Sequence, residues 1–112
     1  MEELTRKIID FRDKRDWKQF NNPKDMAISL SLEASEVLEH FQWKSQEEIL
    51  KYIKGSKKEI GDELADVLYW VLLMSHDLNI DIKKSFNTKM KENNKKYPVS
   101  KSKGKNKKYT DL

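Results

Sequence analysis

The chain has 112 residues, with three Gly, two Pro and no Cys, so it is one domain built from long helices, and disulfides and thiolate metal sites are excluded. No apolar run approaches the ~20 residues of a membrane span, and the charged start MEELTRKIID lacks the apolar core of a signal peptide. The net charge of +4 hides an asymmetry: residues 82–112 carry eleven Lys against Glu92 and Asp111, whereas residues 1–81 are net acidic.

Taken in chain order, residues 2–16 read as a helix with Leu4, Ile8 and Phe11 on one face. Asn21-Asn22-Pro23 ends it, and Pro23 suits the first turn of a second helix running to about residue 42. Ser45 with Glu48 forms a capping-box pattern for a short helix ending near Gly55. Ser56 with Glu59 repeats the pattern and opens a long helix to about residue 78. Asn79 to Asp81 read as a turn with Asp81 as cap, followed by a last helix from Ile82 to about residue 96, before Pro98. Beyond Val99 the sequence is rich in Lys and Ser and reads as a mobile basic tail. The expectation is an all-α, four-helix-bundle-type domain over residues 1–98, with one short extra helix, and a lysine-rich tail over 99–112.

Two acidic pairs stand out. Glu33-x-x-Glu36 lies among Ala27, Leu30, Ala34, Val37 and Phe41, and Glu63-x-x-Asp66 among Ile60, Leu64, Val67 and Val71. Residues three apart project from one side of a helix, so each pair is a two-pronged acidic claw, and Glu33 and Glu63 fall on or beside the core-facing stripes. Carboxylates drawn out of water are neutralised, paired or metal-bound, and neither motif contains Lys or Arg. Four oxygen ligands point to Mg2+ or Mn2+. Glu47 with Glu48, and Glu59 with Asp62, read instead as solvated surface pairs. A di-iron bundle would need Glu-x-x-His, and His40 and His76 stand at the wrong spacings and read as surface or capping residues.

Trp17, Trp43 and Trp70 are many tryptophans for this length. They either fill a core or offer faces to a nucleobase, and the polar neighbours of Trp17 and Trp43 favour the second use. Lys44, Lys89 and Lys96 are candidate phosphate contacts, and Asn93 shares a helix face with Lys89. There is no glycine-rich phosphate loop, so phosphate must be held through metal and side chains. The competing reading is a nucleic-acid-binding helical module working through the basic tail. It leaves the embedded acids unexplained, and the excess of Lys over Arg weighs against base readout.

The E-x-x-E and E-x-x-D motifs resemble the signature of the MazG-like all-α nucleotide pyrophosphohydrolases. The segments FRDKRDWKQFNNP (11–23), LEASEVLEHFQWK (32–44), GDELADVLYW (61–70), KMKENNKKYP (89–98) and KKYTDL (107–112) are similar to the dCTP pyrophosphatase branch. The resemblance implies hydrolysis of a nucleoside triphosphate, dCTP or a modified dCTP above all, to the monophosphate and pyrophosphate. It implies Mg2+ on Glu33, Glu36, Glu63 and Asp66, base contacts from Trp17 and Trp43, and a substrate role for Asn93. Trp70 stands where that branch has Tyr, Ile8 stands where animal relatives have a substrate-contacting His, and the segment between the acidic motifs is shorter than theirs. The expected partners are the triphosphate and further copies of the chain, as a dimer or tetramer, in the cytoplasm and away from membranes and nucleic acid. The expected chemistry is attack by water on the α-phosphorus, with Glu36 orienting or deprotonating that water.

Overall fold

The computed structural model describes all 112 residues, and they form helices without any β-strand. They divide into two compact units, Met1–Asn79 and Ile80–Leu112.

The first unit holds α1 (Glu2–Lys14), a 3-10 turn (Lys18–Phe20), α2 (Pro23–Glu39), α3 (Gln46–Gly55) and α4 (Lys57–Asp77). Asn22 caps α2 by accepting from the Asp25 amide at 2.8 Å, with Pro23 behind it in the first turn. Ser45 and Glu48 close a reciprocal capping box on α3. The box expected at Ser56 does not form. Ser56 ends α3 and starts α4 at once, and its backbone (φ −128°, ψ 22°) is not the extended conformation a side-chain cap requires.

Helix α4 is the hub of this unit: α2 packs along it most extensively, and α1 and α3 also lie against it. Its centre is thin, with Met26, Leu72 and Leu73 the buried apolar side chains. The inward row of α2 runs Met26, Leu30, Glu33, Val37, and that of α4 runs Ile60, Glu63, Val67, Val71. Leu30, Val37, Ile60, Val67 and Val71 thus lie inward as expected, whereas Ala27, Ala34 and Leu64 do not. All three are exposed, and an acid takes the inward place on each helix. Ile28, Leu32, Leu38 and Leu64 remain half-exposed or more. Asp62 is solvated and held by Lys58 Nζ at 2.8 Å, as a surface acid should be.

A buried cation ties the unit together. Arg12 is 2% exposed, and its Nη1 donates to Asp77 Oδ2 at 2.6 Å and to Asn21 Oδ1 at 3.4 Å. The fastening joins α1 to the end of α4 and to the turn before α2.

The second unit holds α5 (Ile82–Lys96), capped by Asp81, then α6 (Val99–Ser102) and a 3-10 turn (Tyr109–Asp111). Within it Tyr97 meets Tyr109 edge to face at 6.0 Å. No helix of the chain is long and apolar enough to cross a membrane.

Candidate metal centre

The packing of α2 on α4 brings the two claws together. Glu33 and Glu36 from α2 and Glu63 from α4 each place a carboxylate oxygen within 4.8 Å of the others. The i, i+3 spacing on α2 sets two acids on one side of the helix, and the pairing with α4 supplies the third. Asp66 lies one turn beyond Glu63 and outside this tight trio, yet its charge reaches both Glu33 and Glu63.

The electrostatics are those of crowded anions. Burial, then contact with the Glu36 carboxyl and its charge, hold the Glu33 carboxyl above the ordinary carboxylate range, with Asp66 and Glu63 adding to the rise. Glu63 is raised as well, first by its contact with Glu36 and then by burial, while His40 pulls the other way. Glu33 Oε2 and Glu63 Oε2 are sealed from solvent and receive no hydrogen bond. A buried carboxylate oxygen without a donor is costly, and a hard divalent cation satisfies several at once. The donor set, all oxygen and all anionic, fits such a cation. Glu33, Glu36 and Glu63 would hold it, with Asp66 at the rim.

The aromatic residues divide. Trp17 stands edge-on to Phe11 (5.6 Å, 76°), Phe11 edge-on to Tyr69 (6.3 Å), and Tyr69 edge-on to Trp70 (5.1 Å). Trp17 and Trp70 thus belong to one aromatic row bridging α1 and α4, with the Arg15 guanidinium 3.8 Å above the Phe11 ring. Burial in this row pushes the Tyr69 phenol up. Trp43 takes no part in it. The residue is 91% exposed, and its backbone is left-handed, at φ 67°. A bulky residue there is strained, at a cost of about 1–3 kcal/mol, so the ring is presented to solvent against its own backbone preference.

Lys44 turns back on its own loop: its Nζ donates to the His40 carbonyl at 2.7 Å and lies 4.3 Å from the Tyr52 ring centroid. Lys89, Asn93 and Lys96 lie on α5 in the second unit, where Lys89 pairs with Glu92 at 3.4 Å and Lys96 sits over Tyr109.

His40 is the C-cap residue of α2, one of the two roles expected of it, but it is not a surface residue. Its side chain is 13% exposed, Nδ1 is hydrogen-bonded to the Tyr52 hydroxyl, and Nε2 stands 3.9 Å from Glu63 Oε1. The signal was available: His40 follows Glu36 by four residues and therefore shares its side of α2. His76 instead borders a cavity of about 370 Å³ with Lys18 and Asp77, and none of the four motif acids lines it.

Residues 28–112 match the MazG-like family model. Rat dCTP pyrophosphatase 1 is 34% identical over the whole of this chain, which covers 67% of that protein. The human dCTP pyrophosphatase 1 is 29% identical over the same extent. A pyrophosphatase from Archaeoglobus fulgidus, known from its crystal structure, superposes with a TM-score of 0.82 at 38% identity. That match covers 88% of this chain and 92% of the archaeal one.

Proposed function

The chain belongs to the MazG-like family and is a nucleoside triphosphate pyrophosphohydrolase, and we propose that it hydrolyses dCTP or a modified dCTP with Mg2+ as cofactor. One observation carries the reading: three carboxylates from two helices converge within 4.8 Å, and two of their oxygens are buried without a donor. A helical packing module has no use for such a cluster, whereas a cation-dependent hydrolase requires one.

Electrostatics set the order of events. A triphosphate is multiply anionic and is repelled by the bare acids, so cation binding precedes substrate. A cation held by Glu33, Glu36 and Glu63 would neutralise phosphate charge and acidify a water molecule. Glu36 has the most exposed carboxylate of the trio, which makes it our choice to orient the attacking water and take its proton. Asp66, one turn along α4, completes the ligand set. Attack falls on the α-phosphorus, and the products are the monophosphate and pyrophosphate.

The exposed Trp43 and the partly exposed Trp17 offer π-faces to the base, each worth about 1–3 kcal/mol when stacked. Trp70 supports Tyr69 behind Trp17 and Phe11. Lys44 must leave the His40 carbonyl to reach a phosphate. Lys89 and Lys96 remain candidate phosphate contacts, and Asn93 keeps the substrate role that the family resemblance implies.

The thin apolar centre, with Ile28, Leu32, Leu38 and Leu64 uncovered, favours a homo-oligomer, dimer or tetramer. Its setting is the cytoplasm, where it acts on free nucleotides.

Turnover in water enriched in oxygen-18 tests the site of attack. Label in the monophosphate alone is the expected outcome, and label in pyrophosphate would place the attack on the β-phosphorus.

A further inference from the structure

Behind Glu63 stands a pair of side chains that the acidic motifs do not contain. His40 ends α2 one turn after Glu36, and Tyr52 faces it from α3 with ring centroids 5.7 Å apart. The Tyr52 hydroxyl is hydrogen-bonded to His40 Nδ1, and His40 Nε2 lies 3.9 Å from Glu63 Oε1. In a neutral imidazole one nitrogen carries the proton and the other accepts, and the partner of each nitrogen decides which. With the phenol donating to Nδ1, the proton rests on Nε2 and faces the carboxylate. The other tautomer would set a lone pair against a carboxylate oxygen. Lys44 secures the arrangement by bonding the His40 carbonyl while lying over the Tyr52 ring.

Glu63 is therefore gripped from one side only. Oε1 lies 3.9 Å from His40 Nε2, and Oε2 is buried with no donor. We propose that Tyr52 and His40 are positioning residues that orient the Glu63 carboxylate, through one oxygen, for a divalent cation held with Glu33 and Glu36. The proposal rests on the reading of these acids as a metal centre. Carboxylates that ligate metals are themselves held by outer partners, and loss of such a partner costs about 10–100-fold in metal affinity. At 3.9 Å the His40–Glu63 attraction is longer than a hydrogen bond, which places the effect at the lower end.

A merely structural role would lie in ring packing, since Tyr52 also meets Phe41 edge to face at 6.3 Å. Tyr52→Phe retains that packing and removes only the hydroxyl. The experiment is calorimetric titration of Mg2+ and Mn2+ into the full chain, without nucleotide, for wild type, Tyr52→Phe, His40→Ala and the double variant. The metal-free melting temperature of each is measured alongside. Tyr52→Phe should weaken cation binding several-fold while melting like wild type, and His40→Ala should weaken it about tenfold. The double variant should match His40→Ala, because the hydroxyl acts only through the imidazole. Wild-type affinity in Tyr52→Phe overturns the proposal even if His40→Ala fails to fold, and so do losses that multiply in the double variant. A wild-type chain that binds neither cation overturns the functional reading itself, which distinguishes the two failures.

Discussion

Arg12 on α1 and Asp77 at the end of α4 are joined by a 2.6 Å bond across 65 residues of chain, with the arginine sealed from solvent. No other charged side chain is so completely buried. Removing one partner of a buried ion pair strands the other, at a cost of about 3–5 kcal/mol. Arg12→Ala and Asp77→Ala should each lower stability on that scale in urea denaturation. Arg12→Met with Asp77→Leu should restore most of the loss. Stability unchanged in both single variants would show that the pair fastens nothing.

At the acidic cluster, stability and activity oppose each other. Glu33→Gln removes a charge that its neighbours repel, so the metal-free protein should melt at a higher temperature than wild type. Turnover should fall by at least tenfold because a cation ligand is lost. A variant that keeps more than about a tenth of the wild-type rate would remove Glu33 from the site.

The raised pKa values of Glu33 and Glu63 fix the sign of a pH dependence. Their ordinary value is 4.5, and in the folded state both protonate more readily. Between 4.5 and the raised folded values the native chain holds more protons than the unfolded one, so this contribution to stability is lost as pH rises through that window. Metal-free wild type should gain stability as pH is lowered from neutrality to about 5, more than Glu33→Gln does. Cations compete with these protons, so stabilisation by Mg2+ should be larger at neutral pH than at about pH 5. Thermal melts across the pH range, with and without Mg2+, read both effects.

Trp43 combines a strained backbone with an exposed ring. Trp43→Gly should leave stability unchanged or improved, since glycine adopts positive φ freely. If the ring stacks on the base, KM for the preferred triphosphate should rise about tenfold. An unaltered KM would take Trp43 out of the base pocket.

These residues also show where the sequence was readable. Asn22-Pro23, Ser45 with Glu48, and Asp81 announced helix starts because each cap is a local hydrogen bond set by residues three apart. Ser56 failed because its backbone serves two helices, a fact of the junction rather than of the motif. The acids were legible as pairs, and the structure sets Glu33, Glu36 and Glu63 together with Asp66 beyond them. Of the expected stripes, Leu30, Val37, Ile60, Val67 and Val71 lie inward with Glu33 and Glu63, whereas Ala27, Ala34 and Leu64 lie outside, because spacings of three and four leave the edge of a stripe open by one position. The spacing of His40 from Glu36 is legible, but the Arg12–Asp77 bond and the Tyr52 partner of His40 are not, since each crosses between helices and a long-range partner leaves no periodic trace. For Trp43 the aromatic excess was visible, but the left-handed backbone that turns the ring outward was not.

On the proposed function, the acids that α2 and α4 bring together serve cleavage of a triphosphate between its α- and β-phosphorus. The direct measurement is incubation of the chain with each of the eight common ribo- and deoxynucleoside triphosphates and Mg2+, resolving pyrophosphate from orthophosphate. Monophosphate and pyrophosphate are expected in equal amounts, fastest from dCTP and absent without Mg2+. Diphosphate with orthophosphate would overturn the proposed function.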